Sequence, residues 1–382
     1  MKLMYCIRGL FNSGGMERII TQKMNYLNEK YGYEIYVVTT EQCNKEKFFY
    51  LNQEIKHIDL GINYLNDSKK NFFKRIPIFL YKQKKHQNKL KKLLREVKPD
   101  ILLSLGDEDR NFLYKLKNFK IKIVKEQHFN KDYMLYSEQN KNILYKLKSH
   151  YDNWKQEKSV KKYDEFIVLT NEDKIEWNNE KIKVIPNFIN DIPEKISTCE
   201  NKKIISVGRL EYQKGYDILI NVWNIISKKY PDWILEIYGE GSERKNLQNK
   251  INKLGLEKSF LLKGTVKNIQ NKYLESSIYV MSSRFEGFGM VIVEAMACGL
   301  PVVSFDCPCG PKDIIKDSED GFLIPFGNIE QMAEKIEKLI LDEEKRKFFG
   351  INARKNVQRF SKDKVMNQWK RLFENLIKDG EK

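Results

Sequence analysis

The segment Arg284-Phe-Glu-Gly-Phe-Gly-Met-Val-Ile-Val-Glu294 runs on into Ala295-Met-Ala-Cys-Gly-Leu-Pro301. It sets one carboxylate, Glu286, in a glycine-flanked loop and a second, Glu294, inside an apolar run. Gly287 and Gly289 let the backbone approach a ligand without a Cβ clash. A helix opening after them points its free N–H groups, and the positive end of its dipole, at a spot that suits a phosphate. A carboxylate amid Val291-Ile-Val and Ala295-Met-Ala is costly unless something bonds it, and a pair of sugar or ribose hydroxyls would serve. Taken alone, the same residues describe a helix with one exposed acid and an ordinary loop before it.

A second constellation is Gly208-Arg-Leu-Glu-Tyr-Gln-Lys-Gly-Tyr-Asp217. Arg209 and Lys214 follow a strand-like run, and Gly215 opens a helix. Two cations at the end of a strand can neutralise a leaving diphosphate, the electrostatic work of a transferase that uses no metal. Asn12-Ser-Gly-Gly-Met-Glu17 follows the first strand-like run, so the amides of Gly14 and Gly15 could meet a diphosphate or an acceptor hydroxyl. That loop lacks the spacing of a dinucleotide fingerprint, which argues against an NAD enzyme. Gly241, in Tyr238-Gly-Glu-Gly-Ser-Glu-Arg244, marks another strand–glycine–helix turn. Val266, in Lys263-Gly-Thr-Val266, could present backbone groups to a base edge. His128 lies just past the run Ile121–Val124, where it would face a cleft. Asp107-Glu-Asp109 could pass for a cation-binding carboxylate pair, but the Arg209/Lys214 pair makes such a metal redundant, and none is expected.

These loops need strands and helices to carry them. Strand-like runs fall at Leu3–Ile7, Glu34–Thr39, Ile101–Ser104, Ile121–Val124, Phe166–Leu169 and Ile182–Ile185. A polar stretch, Asp191 to Lys202, then reads as a linker. Runs resume at Lys203–Val207, Ile234–Tyr238, Ser259–Leu262, Ile278–Met281 and Val302–Phe305, with helical sequence between them, including Met16–Tyr31 near the start. Strands alternating with helices imply parallel sheets covered on both faces, an α/β fold. A chain of 382 residues exceeds one ordinary core and predicts two such domains, over 1–190 and 200–360. Ligands would then sit at the carboxyl ends of the strands, in the cleft between them.

The 69 basic and 52 acidic residues leave a formal charge of +17, which could attract nucleic acid, anionic lipid or a phosphorylated substrate. Between Lys69 and Lys98 stand twelve bases and a single acid, Glu96. From about Phe79 the segment reads as a basic amphipathic helix, of the kind that lies on anionic membranes or grips anionic head groups. A surface helix whose apolar stripe is simply core would read the same way. No apolar run approaches the ~20 residues of a membrane span. The six cysteines show neither metal spacing nor a secreted framework, so a cytoplasmic protein is expected.

With these residues in place, the chain resembles the retaining family 4 glycosyltransferases of the GT-B fold. The matching residues are Gly14-Gly15, Gly208-Arg209, Lys214-Gly215, the block Glu286 to Glu294, Ala295 to Pro301, and Gly321 in Asp-Gly-Phe-Leu-Ile-Pro. The likeness covers the second half in order and spacing, and in the first half only the opening loop and general pattern. It implies two Rossmann-like domains, the first for the acceptor and the second for a nucleotide-sugar, with a C-terminal helix near Lys362–Lys378 returning to the first. By the resemblance, Arg209 and Lys214 bind the donor diphosphate, Glu286 contacts the sugar, and Glu294 takes the ribose hydroxyls. The amides of Gly287, Phe288, Gly289 and Met290 lie near the sugar and phosphates, and His128 near the sugar. It also implies retention by front-face attack, without a metal or other cofactor.

The stretch Ser304 to Ile315 looks like members using UDP-galactose, UDP-N-acetylgalactosamine or UDP-glucose-type donors, many of which extend lipid-linked bacterial surface glycans. A polyprenyl-diphosphate acceptor would suit the Lys69–Lys98 segment, at the inner face of the plasma membrane. Two other classes compete. A UDP-sugar epimerase on the same fold would want cleft acids and a His as proton shuttles. A nucleic-acid-binding protein would need a basic–aromatic platform, which the Lys-rich helix lacks.

Overall fold

The computed structural model describes residues 1–67, 72–106, 108–137, 143–177, 179 and 181–378. Two units divide the chain. Unit 1 comprises Met1–Leu169, Lys174–Ile185 and Asp363–Lys382; unit 2 comprises Thr170–Asp173 and Pro186–Lys362.

Unit 1 holds a seven-stranded sheet in the order β3-β2-β1-β4-β5-β6-β7. Its strands are β1 (Lys2–Ile7), β2 (Glu34–Thr39), β3 (Lys56–Asp59), β4 (Ile101–Ser104), β5 (Lys122–Glu126), β6 (Glu165–Val168) and β7 (Ile182–Val184). Every pairing is parallel; Leu3 stands beside Ile35 on one side and Ile101 on the other. Central strands of a parallel sheet are buried on both faces, and β4 is four apolar or small residues without a polar interruption, all buried. β3, Lys-His-Ile-Asp, carries no such signal because it is a short edge strand with both ends exposed.

Unit 2 holds a six-stranded sheet in the order β10-β9-β8-β11-β12-β13. The strands are β8 (Lys203–Val207), β9 (Ile234–Tyr238), β10 (Phe260–Gly264), β11 (Ile278–Met281), β12 (Val302–Asp306) and β13 (Gly321–Pro325). All pair in parallel. The helices Tyr216–Lys229 and Ile329–Leu341 lay apolar stripes on one face, where Leu219, Trp223, Ile226, Met332 and Ile336 join Leu235, Ile237 and Val303 in one core.

The stretch Asp191–Lys202 is not a free linker. Ser197 and Cys199 are buried, Ser197 Oγ bonds the Ser276 carbonyl, and Arg346 Nε donates to the Cys199 carbonyl at 2.8 Å. The unit boundary falls earlier, between Ile185 and Pro186. The helix expected from about Phe79 begins at Phe72 and runs to Val97 with Pro77 inside it, although a proline there has no N–H to give the preceding turn. Its second half buries Leu90, Leu93, Leu94 and Val97 in the core, whereas Ile76, Phe79, Leu80 and Tyr81 in the first half are exposed. Lys69 and Lys70, at the head of the expected basic segment, lie outside the described residues. All but the first residue of the helix Lys362–Lys378 belongs to unit 1, where Trp369, Leu372 and Phe373 are buried.

Candidate active site

Each sheet reverses its winding once. In unit 2 the switch lies between β8 and β11, and loops leaving the carboxyl ends of two such strands diverge to leave a crevice. The first of these loops carries Arg209 and Lys214, and the second runs from Ser282 to Gly289. The fold therefore brings together residues more than seventy positions apart.

Lys214 Nζ donates to Glu286 Oε1 at 2.7 Å, and Ser283 Oγ donates to the same oxygen at 2.6 Å. Both charged side chains are largely buried, with 14% and 8% of their surface exposed, so each holds the other against desolvation. The two loops are also stapled through the backbone. The Arg284 amide donates to the Gln213 carbonyl at 2.7 Å, and Gln213 Nε2 to the Phe285 carbonyl at 3.0 Å. The Arg284 guanidinium grips Asp217 with two bonds of 2.8 and 2.7 Å and stacks on Tyr212. Burial disfavours the charge on Asp217, but the guanidinium outweighs it and holds that carboxyl below its ordinary range. Gly215 sits where this contact is tightest: its φ is +63° and a Cβ there would stand 2.1 Å from the Ser282 carbonyl oxygen.

Arg209 is exposed, and its guanidinium makes no hydrogen bond or ion pair with another described residue. Its neighbours press closely behind it. A Cβ on Gly241 would meet the Leu210 carbonyl at 2.3 Å, and one on Gly239 the Gly208 carbonyl at 2.0 Å. The Gly239 amide bonds the Gly264 carbonyl at 2.9 Å. The turns after β8, β9 and β10 are thus packed backbone to backbone, with Val266 exposed at the end of the last.

The helix Met290–Ala297 starts at Gly289, whose φ of 95° is open to glycine. Phe288 is buried against Phe360, leaving the amides of Gly287 to Met290 as the polar groups of that turn. Glu294 is part-buried in the helix, and the Tyr273 hydroxyl donates to it at 3.4 Å. Beside this turn, Glu172 accepts from the Cys309 amide at 2.8 Å and Asp313 accepts from the Asn171 amide at 2.9 Å. Burial lifts the Glu172 carboxyl above its usual range despite the Cys309 bond.

In unit 1, His128 is buried two residues past the end of β5. Its Nε2 lies 3.0 Å from Glu126 Oε1, while Lys23 Nζ bonds the other carboxylate oxygen. Lys23 also stands 3.7 Å from the Trp369 ring centroid. Burial opposes the charge on Glu126, yet Lys23 and His128 outweigh it and hold the carboxyl down at about 2. Lys23 gives no sign of this in the sequence, where it reads as one more surface lysine of an amphipathic helix.

Gly14 caps the first helix, Gly15–Tyr31. The carboxylate of Glu17 folds back over that end, 2.3 Å from where a Gly14 Cβ would be, and accepts from Asn12 Nδ2 at 3.1 Å. A carboxylate there repels phosphate and suits a hydroxyl, which separates the two ligands the glycine pair could have met. Nothing crowds Gly15. Of the acidic triplet, Asp107 lies outside the described residues; Glu108 pairs with Arg8, and Asp109 accepts from Ser104 Oγ at 2.8 Å.

The family model described as "Glycosyl transferases group 1" matches residues 189–356. An uncharacterized glycosyltransferase of Haemophilus influenzae is 30% identical over 380 residues, covering 97% of this chain and 99% of that one. A Campylobacter jejuni enzyme is 24% identical over 98% of both chains. Its name gives the activity of an alpha-1,4-N-acetyl-D-galactosaminyltransferase acting on a GalNAc-bearing diNAcBac-PP-undecaprenol. Among solved structures, HepE from Anabaena in complex with UDP and glucose superposes with a TM-score of 0.73 at 19% identity, covering 98% of this chain and 99% of that one. That last likeness is one of fold.

Proposed function

The chain belongs to the glycosyl transferases group 1 family and is a glycosyltransferase, and from that premise we propose that it transfers a hexose or N-acetylhexosamine from a UDP-sugar to a lipid-linked glycan of a bacterial surface polysaccharide. The observation that carries the reading is the Lys214–Glu286 pair at the β8/β11 switch point, with Arg209 beside it on the β8 loop. A diphosphate arriving there meets two cations and competes with Glu286 for Lys214. Glu286, so released from Lys214, accepts from hydroxyls of the donor sugar. Glu294 takes the ribose hydroxyls, and the Gly287–Met290 amides stabilise charge as it develops on the leaving phosphate.

The two cations supply the charge neutralisation for which other enzymes recruit a divalent metal. Transfer proceeds with retention, the leaving phosphate oxygen accepting the acceptor hydroxyl proton, so no separate base is needed. Unit 1 takes the acceptor, whose hydroxyl the Glu17-capped helix end favours, and His128 is the unit 1 residue the reaction requires. Support for UDP comes from HepE, and support for a lipid-linked acceptor from the Campylobacter enzyme. A polyprenyl-diphosphate acceptor lies at the membrane surface, and the first, exposed half of the helix Phe72–Val97 meets it there.

The test is donor binding and slow hydrolysis across UDP-, GDP- and ADP-sugars, with and without EDTA. One UDP-sugar preferred and indifferent to chelation is the expected result. Activity abolished by EDTA, or no UDP-sugar bound, overturns the reading.

A further inference from the structure

Unit 1 contains a cavity of about 440 Å³ that none of the roles above uses. It opens between the first half of the helix Phe72–Val97, the turn after β4, and the last turns of the helix Ile143–Val160. Five cations line it: Lys84, Arg110, Lys115, Lys155 and Lys162. Among the described residues no carboxylate does, and none of the five forms an ion pair with another described residue. Lys162 Nζ instead sits 4.0 Å from the Tyr114 ring centroid. A cluster of like charges in a concave, partly apolar site is unfavourable unless an anion completes it.

Arg110 is the one guanidinium among the five. Its Nε is buried with no hydrogen-bond partner among the described residues, so that edge of the group faces protein and an anion in the cavity meets its Nη groups. A planar guanidinium edge suits two phosphate oxygens.

The rim says where the phosphate comes from. Phe79 and Leu80 line the mouth, and Tyr81 follows them, exposed by 39%, 62% and 68%. On the helix Ile143–Val160, Leu147, Tyr151 and Trp154 are likewise exposed, and Lys158 lies over the Trp154 ring. Exposed aromatic and aliphatic side chains interleaved with lysines match the interfacial zone of a bilayer, where rings sit among head groups and lysine stems reach for phosphates. A site for a free anion has no use for such a rim.

We infer that this cavity is a lipid head-group site: Arg110, Lys155 and Lys162 hold the phosphodiester of an anionic lipid while the aromatic rim enters the interface. The inference rests on the proposed function only in placing the acceptor in a membrane.

The experiment is partition of the full chain onto phosphatidylcholine vesicles with and without phosphatidylglycerol, at one ionic strength. Arg110→Gln and Lys155→Gln/Lys162→Gln are compared with Lys85→Gln and Lys92→Gln, exposed lysines of the same basic helix that do not line the cavity. Binding to phosphatidylglycerol vesicles should fall about tenfold or more for Arg110→Gln, as expected for loss of charge-assisted bonds to phosphate. Lys85→Gln and Lys92→Gln should each cost roughly two- to fivefold, the effect of one surface charge. Equal losses in all variants would mean a diffuse basic surface and overturn the site. Full release from vesicles by millimolar glycerol 3-phosphate would mean a free anion is the occupant and overturn the lipid assignment. UDP-sugar hydrolysis, measured in the same variants, uses none of the substituted residues and should be unchanged; its failure in the unsubstituted protein would sink the proposed function without touching the vesicle result.

Discussion

Lys214 and Glu286 are each other's partner before any donor arrives, and that fact separates what their loss should do. Lys214→Ala removes a charge-assisted bond to the diphosphate and takes from buried Glu286 its ammonium partner, with the Ser283 bond kept. UDP affinity should fall about 10- to 100-fold, the worth of one such bond. Glu286→Ala frees the ammonium, so UDP should bind as well as before or better, while turnover falls on the order of a hundredfold or more. Isothermal titration with UDP beside donor turnover reads both. A Glu286→Ala protein that loses UDP affinity in parallel with turnover would place the carboxylate in ground-state binding rather than at the sugar. Glu126 in unit 1 is the counterpart of this pair with a different outcome: its partners Lys23 and His128 leave it fully engaged, so it positions His128 rather than meeting a ligand.

At the scale of elements, the helix Phe72–Val97 shows how one stripe serves two surroundings. Its second half is core, and its first half is the rim of a cationic cavity. His86 lies between the two, buried, with Nδ1 3.2 Å from the Tyr64 hydroxyl and its ring against Phe112. Burial drops its pKa from 6.5 to about 4. Because the unfolded chain takes up this proton first, stability is full above about pH 6.5 and declines as pH falls toward 4, where the folded imidazole also titrates. The loss over that window is on the order of 3 kcal/mol. Urea unfolding at stepped pH values, followed by tryptophan fluorescence, should show this decline, and His86→Asn should flatten it. An unchanged slope in the variant would assign the acid sensitivity elsewhere.

For the whole molecule, the division into two units has a thermodynamic consequence. The residues proposed to hold the donor, Arg209, Lys214, Glu286 and Glu294, all belong to unit 2. A ligand stabilises only what it binds in the folded state, by about 2.7 kcal/mol at a hundred times its Kd. Saturating UDP should therefore raise the melting transition of unit 2 by roughly 5–10 °C and leave unit 1 where it was. Calorimetry with hydrogen-exchange readout on peptides of each unit measures both. A matched rise in unit 1 would mean that residues of that unit also hold the nucleotide.

Much of this protein is legible in its sequence. The alternation of apolar strands, glycine turns and amphipathic helices is local in the chain, so it marks eleven of the thirteen strands and both parallel sheets. The candidate loops stand out because a strand end followed by glycine and charge is itself a local pattern. Two edge strands escape: β3, whose Lys-His-Ile-Asp is largely wetted and need not be apolar, and β13, whose five residues between Gly321 and Pro325 read as a turn-bounded segment. So do facts that depend on what folds against what. Lys23 and Lys84 are both lysines on amphipathic helices, yet one is buried on Glu126 and Trp369 and the other lines an open cavity. Asp191–Lys202 has the composition of a linker, and only the partners waiting for it at Ser276 and Arg346 make it part of unit 2. Residue type sets what a side chain can do at a given place; burial and pairing, which arise only when distant segments meet, set the charge and the partner with which it does it.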